Sequence, residues 1–239
     1  MRLKHITFTG IDSKTDIEAL QEIQRQYPIA EFGVLTSYHW YENGNRYLDP
    51  QLLCNLRGRK LNLALHICGS AAHDAAGGYW NRIRFHTQDC MWFFNRVQLN
   101  VANRTDNPRR MASTPNRKTE LVIQQRPNNT VLYENSKWLG CDEDGGVSML
   151  LDASGGLGID TPITLYPSDG KIGYAGGFNP DNVGNKLAYL MENVRQGEFW
   201  IDMESGVRTD DWFDLDKVRR VLAICNEVIR DLHMETEGV

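Results

Sequence analysis

The stretch KIGYAGGFNPDNVGNKLAYL (171–190) contains one complete strand–loop–helix unit, and it decides how the rest of the chain is interpreted. Its first five residues predict a short buried strand, after which the chain places two adjacent glycines, Gly176 and Gly177. Asn179 is a good helix N-cap, and Pro180 suits the first helical position, where a missing N–H costs nothing. The apolar residues that follow recur at helical spacing: Val183, Leu187, Leu190 and Met191. The stretch therefore predicts the repeating unit of α/β proteins.

The same alternation runs along the whole chain. Strand-like apolar runs occur at 5–10, 30–37, 61–69, 96–103, 119–125, 147–155, 171–177 and 199–206. The clearest helical patterns are at 13–26 and 218–232, whereas the connections at 104–118 and 126–146 are less clearly helical. Buried strands that alternate with helices favour parallel pairing, and eight such units close as a (β/α)8 TIM barrel; an open doubly wound sheet is the alternative. We predict an α/β fold, a (β/α)8 barrel in a single domain spanning 1–239.

Composition and charge restrict the class of protein. The 239 residues carry a net charge of -5 and are 41% hydrophobic, which argues against a general nucleic-acid binder. No apolar run approaches the ~20 residues of a membrane helix, and the N-terminus lacks a signal-peptide pattern. The five cysteines are scattered, so we predict neither a disulfide framework nor a zinc site, and expect a cytoplasmic protein with reduced thiols. We expect no cofactor or metal, no nucleic-acid or membrane partner, and a monomer or homodimer. The basic run at 107–118 is interpreted as a solvated loop.

Glycine-rich loops follow the last three predicted strands. In a TIM barrel, the loops after strands seven and eight often bind phosphate, because exposed backbone N–H groups favour an anion. We therefore predict a phosphate site, and hence a phosphorylated small-molecule ligand, at Gly155, Gly156, Gly176, Gly177, Ser205 and Gly206. The alternative for the glycine pair is a tight turn that needs positive φ angles. Asp152 directly follows the sixth strand, which places it at the mouth of the barrel.

Five short motifs, in order along the chain, resemble those of the phosphoribosylanthranilate isomerase family. The pair AGGFNPDNV (175–183) and DMESGV (202–207) is the most specific, since the family carries AGGLNPENV-like and DVSSGV-like segments there. LLD (150–152) precedes a second glycine loop, as in the family, and the remaining matches are GNRYL (44–48) and VQLN (97–100). The resemblance implies a (β/α)8 barrel that isomerises a phosphorylated sugar derivative of tryptophan biosynthesis.

The resemblance also implies roles for particular residues. Asp152 matches the general acid that protonates the furanose ring oxygen, and Arg46 matches the arginine that binds the anthranilate carboxylate. Asp202 matches an aspartate near the substrate, and Asn100 replaces a histidine at the substrate site. The glycine loops match the phosphate-binding segments. A guanidinium group does bind a carboxylate well, through two parallel hydrogen bonds.

The general base of the family is missing from this chain. The family uses a cysteine at the end of its first strand, and Thr9 occupies that place here. An alcohol is a very poor base near neutral pH, whereas a thiolate is accessible. Asp12 is a candidate replacement by position. Four further candidates lie near loop ends: His39, His66, Cys68 and His73. A metal site formed by the group His66, Cys68, His73 and Asp74 is not predicted, because that spacing fits no familiar pattern.

Three functional hypotheses follow from these observations. The first is an isomerase-like enzyme that acts on a phosphorylated sugar derivative. The second is a lyase, epimerase or hydrolase that uses the same phosphate-binding barrel with Asp152 as its acid or base. The third is a catalytically inactive relative that binds a phosphorylated ligand or a protein partner. The first two make the chain an enzyme, which requires another residue to act in place of the missing base. The third does not require one.

Overall fold

Eight parallel strands form a closed barrel in chain order in the computed structural model, which describes residues 2–42, 44–101, 119–125, 146–165, 171–194 and 197–237. The strands are β1 (Arg2–Thr9), β2 (Ala30–Thr36), β3 (Leu63–Cys68), β4 (Arg96–Asn100), β5 (Glu120–Gln125), β6 (Val147–Asp152), β7 (Lys171–Ala175) and β8 (Glu198–Met203). Each strand pairs with the next, and β8 pairs with β1, which confirms the predicted TIM barrel and excludes the open sheet. The basic run and most of the two less clearly helical connections lie outside the described residues.

Helices and short turns cover the outside of the barrel. The helices are α1 (Ile17–Gln26), α2 (Pro50–Leu53), α3 (Gly69–Ala76), α4 (Trp80–His86), α5 (Val183–Asn193) and α6 (Leu215–Glu237). The two-residue strands β9 (Arg208–Thr209) and β10 (Trp212–Phe213) form a small hairpin after β8. Asn179 does act as a cap, accepting hydrogen bonds from the backbone N–H groups of Asp181 and Asn182. It caps a turn, however, and α5 begins only at Val183.

The main core lies between the barrel and its helices. Outward-facing strand residues such as Phe8, Phe32 and Ile67 are fully buried there, together with Leu20 of α1 and Val221 of α6. Because successive strand residues point to opposite faces, the alternate residues of the same strands point into the barrel. The apolar residues found outside therefore leave the inward positions free for polar side chains.

The inside of the barrel is more polar than the branched aliphatic filling that is usual for this fold. Near the N-terminal ends of the strands, Glu31 accepts a hydrogen bond from Thr7 Oγ1 at 2.8 Å and pairs with Arg96 at 3.2 Å. The Arg96 guanidinium lies 4.1 Å from the centre of the Trp200 ring. Glu31 and Arg96 are almost completely buried, so removing one partner would leave an unpaired buried charge, at a cost of about 3–5 kcal/mol. This network forms the base of the barrel below the cavity described next.

The expectation of reduced thiols is wrong for one pair of cysteines. Cys54 and Cys90 form a disulfide with a Cα–Cα distance of 5.6 Å. They are 36 positions apart and lie in turns that follow α2 and α4, in consecutive strand–helix units. Disulfide connectivity depends on this spatial adjacency and cannot be deduced from scattered spacings. Cys68 and Cys225 are buried and not disulfide-bonded.

Within the part of the chain that is described, no helix combines the length and the apolar character needed to cross a bilayer.

Candidate functional site

A cavity of about 410 Å³ opens at the C-terminal ends of the barrel strands. Every strand contributes to its lining or floor, through Thr9, Leu35, Cys68, Asn100, Gln124, Asp152, Ala175 and Asp202. This is the end of the barrel at which TIM-barrel enzymes carry their active sites. The structure thus brings together the predicted residues Thr9, Arg46, Asn100, Asp152 and Asp202 around one space.

Asp152 is held by three hydrogen bonds at the end of β6. Its Oδ2 accepts from Gln124 Nε2 at 2.7 Å, and its Oδ1 accepts from the Ser154 backbone N–H at 3.0 Å and from Ser154 Oγ at 2.7 Å. Only 5% of the residue is exposed. Both oxygens are therefore engaged with donors, as suits a carboxylate that only accepts.

Asp202 has one bonded oxygen and one that faces no partner in the described ranges. Thr9 Oγ1 donates to Asp202 Oδ1 at 2.7 Å, across the β1–β8 pair. Burial raises the pKa of Asp202 to about 7, although the hydrogen bond from Thr9 and the charge of Arg96 act in the opposite direction. Gly33 of β2 makes room for this contact, since a Cβ there would meet the Thr9 side chain. Thr9, at the position of the family's cysteine base, thus donates a hydrogen bond to an aspartate whose pKa lies near 7.

Arg46 is engaged by two acidic residues. Its Nε lies 2.7 Å from Asp211 Oδ1 and its Nη1 lies 3.0 Å from Glu204 Oε1. Glu204 also lines the cavity, and burial raises its pKa against the opposing charge of Arg46. The arginine that the resemblance assigns to a substrate carboxylate already pairs with carboxylates of the protein.

The carbonyl groups of Gly176 and Gly177 both point toward α5 and the turn before it. Lys186 Nζ donates to the Gly176 carbonyl at 2.7 Å, and Asn182 Nδ2 donates to the Gly177 carbonyl at 2.9 Å. Both donors belong to α5 or to the turn before it, outside the barrel. In a trans peptide unit the C=O and the following N–H point in opposite directions. The N–H groups of Gly177 and Phe178, two residues that line the cavity, therefore point away from α5.

Three loops meet next to these N–H groups: loop 6 (153–161), loop 7 (176–182) and loop 8 (204–207). A Cβ on Gly177 would overlap the backbone of Ile159 in loop 6, and one on Gly206 would overlap the Phe178 carbonyl in loop 7. Glycine is thus required for close packing as well as for its positive φ angle, +68° at Gly177. Five of the predicted phosphate residues line the cavity: Gly156, Gly176, Gly177, Ser205 and Gly206. Gly155 is outside the lining, and its N–H donates to the Asp152 carbonyl at 3.0 Å.

Asp12 lies away from the cavity and has a structural environment. Its carboxylate pairs with Arg208 at 3.3 Å and accepts from the Phe213 backbone N–H at 2.6 Å. Lys14 N–H and the Thr15 hydroxyl also donate to it. The ion pair and hydrogen bonds of this candidate base therefore connect the loop after β1 to the β9–β10 hairpin.

Four cavity residues that sequence reasoning did not connect form a chain of hydrogen bonds on β3 and β4. Gln98 Nε2 lies 3.2 Å from His66 Nδ1 and 2.9 Å from Asn100 Oδ1, and Asn100 Nδ2 donates to Cys68 Sγ at 3.3 Å. Burial and the charge of Arg96 lower the pKa of His66 to about 3, so its ring is neutral. The available signal was the period-two placement of polar residues in otherwise apolar strands.

The remaining candidates lie outside the cavity. His39 is exposed and lies 3.5 Å from Glu42, and His73 is half-buried on α3. Asp74, a member of the disfavoured metal group, accepts from Tyr38 and pairs with Arg82. Among the described residues there is no group of three or more His, Cys, Asp and Glu side chains that could hold a metal ion.

Comparison with known proteins adds information on the fold. No protein-family model and no curated protein matches the sequence. Among solved structures, the chain is similar to phosphoribosyl anthranilate isomerase from Thermus thermophilus, with a TM-score of 0.58 and 16% identity over 94% of this chain and 99% of that one. It is also similar to N-(5'-phosphoribosyl)anthranilate isomerase from Pyrococcus furiosus, with a TM-score of 0.55 and 14% identity over 93% and 98% of the two chains. The chain therefore has a phosphoribosylanthranilate isomerase-like barrel fold.

Proposed function

We propose that this chain is an enzyme that binds a phosphorylated sugar-type ligand in the barrel mouth and transfers a proton on it, as a sugar-phosphate isomerase does. The observation that carries the proposal is the orientation of the glycine pair. Lys186 and Asn182 hold the carbonyls of Gly176 and Gly177 on the outside, and two successive N–H groups are left for an anion. Neighbouring backbone N–H groups that point to one side form a common phosphate-binding arrangement.

The phosphate would lie beside loops 6, 7 and 8, with the sugar extending toward the carboxyl groups. This orientation follows from charge, because Asp152 and Asp202 would repel a phosphate group placed next to them. The cavity volume of about 410 Å³ lies within the range of pockets that take small molecules. One end of the ligand would thus be held by backbone groups and the other by side chains.

Proton transfer would belong to Asp202. Its free oxygen takes the proton from the carbon next to the carbonyl, and the C–H electron pair forms the double bond of an enediolate. A hydroxyl proton passes between the two oxygens of that intermediate, and Asp202 returns its proton to the neighbouring carbon, so no outside reagent is consumed. A general base works best when its pKa lies near the working pH, and burial brings the pKa of Asp202 to about 7. Asp152, held by three donors, would orient a substrate hydroxyl.

Epimerisation at the same carbon is the second candidate reaction. Asp202 would take the proton from one face and Asp152 would donate a proton to the opposite face, with both carboxyl groups regaining their starting states by proton exchange with water. Since Thr9 cannot act as the cysteine does, and Arg46 is paired with Glu204 and Asp211, we expect little isomerisation of phosphoribosylanthranilate. Thr9→Cys should raise that activity if the rest of the site still accepts the compound.

Calorimetric titration tests the phosphate part of the proposal. The wild-type chain should bind ribose 5-phosphate at least 100-fold more tightly than ribose at pH 7.5. Inorganic phosphate should compete with the sugar phosphate. Equal affinity for ribose and its phosphate, or no competition, would overturn the proposal. Robust isomerisation of phosphoribosylanthranilate by the wild type would instead contradict the expectation drawn from Thr9 and from the pairing of Arg46 with Glu204 and Asp211.

A further inference from the structure

The charged groups around the cavity are unequal in number. Among the described residues, three carboxyl groups line it, those of Asp152, Asp202 and Glu204, together with one guanidinium, that of Arg46. The His66 imidazole, which also lines the cavity, is neutral because burial lowers its pKa to about 3. Among the described lining residues, acidic groups therefore outnumber basic ones, and two of the acids, Asp152 and Asp202, lie at strand ends outside loops 6, 7 and 8.

The guanidinium does not offset this acidity for a ligand. Arg46 is bound to Glu204 at 3.0 Å and to Asp211 at 2.7 Å, so two carboxylates share its charge. A carboxylate on the ligand would have to displace one of them or lie beside both. Like charges brought together at a binding site are a strong source of discrimination.

Uncharged groups on the cavity floor favour a ligand that donates hydrogen bonds. The carbonyl oxygens of Gln98 and Gln124 are buried and have no hydrogen-bond partner among the described residues. Both side chains line the cavity and are at most 5% exposed, and their amide nitrogens are used within the protein. Buried acceptors of this kind are costly unless something donates to them. The floor thus adds two acceptors to the acceptor oxygens of the acids.

We infer that the ligand's end remote from the phosphate carries hydroxyl or amino groups and no second anionic group. This substrate class, a phosphorylated polyhydroxy or amino sugar, rests on the proposed function for the position of the phosphate. Hydroxyl and ammonium groups donate hydrogen bonds to Gln98, Gln124 and the acids, whereas an arylcarboxylate offers them no donor. An ammonium group also fits the acidic surroundings of Glu204 and Asp211.

Three six-carbon probes that differ at one end test the inference: glucose 6-phosphate, glucosamine 6-phosphate and 6-phosphogluconate. By calorimetric titration at pH 7.5, the first two should bind the wild-type chain at least 10-fold more tightly than 6-phosphogluconate. Glu204→Gln keeps the hydrogen bond to Arg46 but removes the negative charge, and should narrow this gap to less than 3-fold by strengthening 6-phosphogluconate binding. Glu192→Gln, the same change on the exposed face of α5, should leave the gap unchanged.

A second variant covers the case in which Glu204→Gln does not fold. Asp211→Asn removes the charge of the acid that pairs with Arg46 from outside the cavity lining. It should reduce the affinity ratio between the first two probes and 6-phosphogluconate by about 2-fold to 3-fold. Equal or tighter binding of 6-phosphogluconate by the wild type overturns the inference, and so does a gap that neither variant narrows. If phosphate and all three probes fail to bind, the proposed function falls together with the inference. If all bind without discrimination, only the inference falls.

Discussion

The two sides of the cavity are lined by different kinds of group. On the side of β6, β7 and β8, loops 6, 7 and 8 present backbone N–H groups, and glycines allow the loops to touch. On the side of β1 to β5, polar side chains such as Thr9 and Gln98 line a floor above the Glu31–Arg96 pair. The backbone side carries the AGGFNPDNV and DMESGV segments, whereas Thr9 and Asn100 on the other side differ from the motifs of the family that the sequence resembles. Under the proposed function, the difference teaches that backbone groups can hold a phosphate independently of the side chains that carry the chemistry.

The largest effect is expected from removing the proposed proton acceptor, Asp202, which should greatly slow proton transfer but leave phosphate binding in place. Asp202→Asn should reduce exchange of the carbon-bound proton next to the sugar-phosphate carbonyl by about 10²–10⁴-fold. Binding of the same sugar phosphate should change by less than 3-fold, because the proposed phosphate position is at backbone N–H groups of loops 6, 7 and 8 and not at the Asp202 carboxyl group. The measurement is loss of the proton NMR signal in D2O, with Asp231→Asn on exposed α6 as the control. Exchange at the wild-type rate in Asp202→Asn would contradict the division of roles.

Ionisation of the buried Asp202 should also lower the free energy of unfolding, by an amount that depends on pH. Its pKa of about 7 in the folded state lies above the ordinary value of 3.8, so the native state holds the extra proton between these two pH values. Stability should fall as pH rises through this window and then level off, because the charged form is disfavoured by burial. Asp202→Asn should therefore be more stable than the wild type at pH 8, by up to about 4 kcal/mol, and equal to it near pH 3.5. Urea unfolding at the two pH values measures this, and parallel curves would show that Asp202 titrates normally.

The backbone side is most directly disturbed at the glycine pair. Gly177→Asp introduces a side chain that overlaps the Ile159 backbone and places a negative charge beside the proposed phosphate. We expect sugar-phosphate binding to weaken by about 100-fold, on the order of 3 kcal/mol. Gly58→Asp is the matched control, since Gly58 also has positive φ (+76°) but has nothing within 4 Å of an added Cβ. A similar loss of binding in both variants would point to backbone strain alone.

A smaller effect is expected from the lysine behind the glycine pair. Lys186→Met removes the donor to the carbonyls of Gly176 and Thr161 and leaves loop 7 free to reorient. Binding of ribose 5-phosphate should weaken about 10-fold, since one charge-assisted hydrogen bond contributes roughly 1.5–3 kcal/mol. Lys171→Met, at the opposite end of β7, is the control in calorimetry. Unchanged binding in Lys186→Met would mean that the carbonyl orientation does not depend on this lysine.

The fold was predictable because its signals are local. The eight barrel strands, and the helices that follow β1, β7 and β8, are indicated by the spacing of apolar residues within about ten positions, as in 171–190. The positions of Asp152 and of loops 6 to 8 at the barrel mouth then follow from the rule for strand ends.

The roles of individual side chains were less predictable because they depend on distant partners. Asp12 lies at a loop end where a base was plausible, yet it pairs with a residue 196 positions away. The engagement of Arg46 by Glu204 joins residues 158 positions apart, and the buried Glu31–Arg96 pair has no local signal. The disulfide between Cys54 and Cys90 was missed for the same reason.

The tie between Asp12 and Arg208 has a consequence for how the chain is made. The carboxylate is buried next to β1, while its cation follows β8, 196 positions later in the chain. Throughout synthesis, the early strands have neither the neighbour that closes the barrel nor the partner of this charge. A nascent or truncated chain that stops before β8 should keep an unpaired edge at its first strand, and so be a good substrate for chaperones and proteases. Addition of β8 and β9 then supplies both the strand that closes the barrel and the cation that pairs with Asp12.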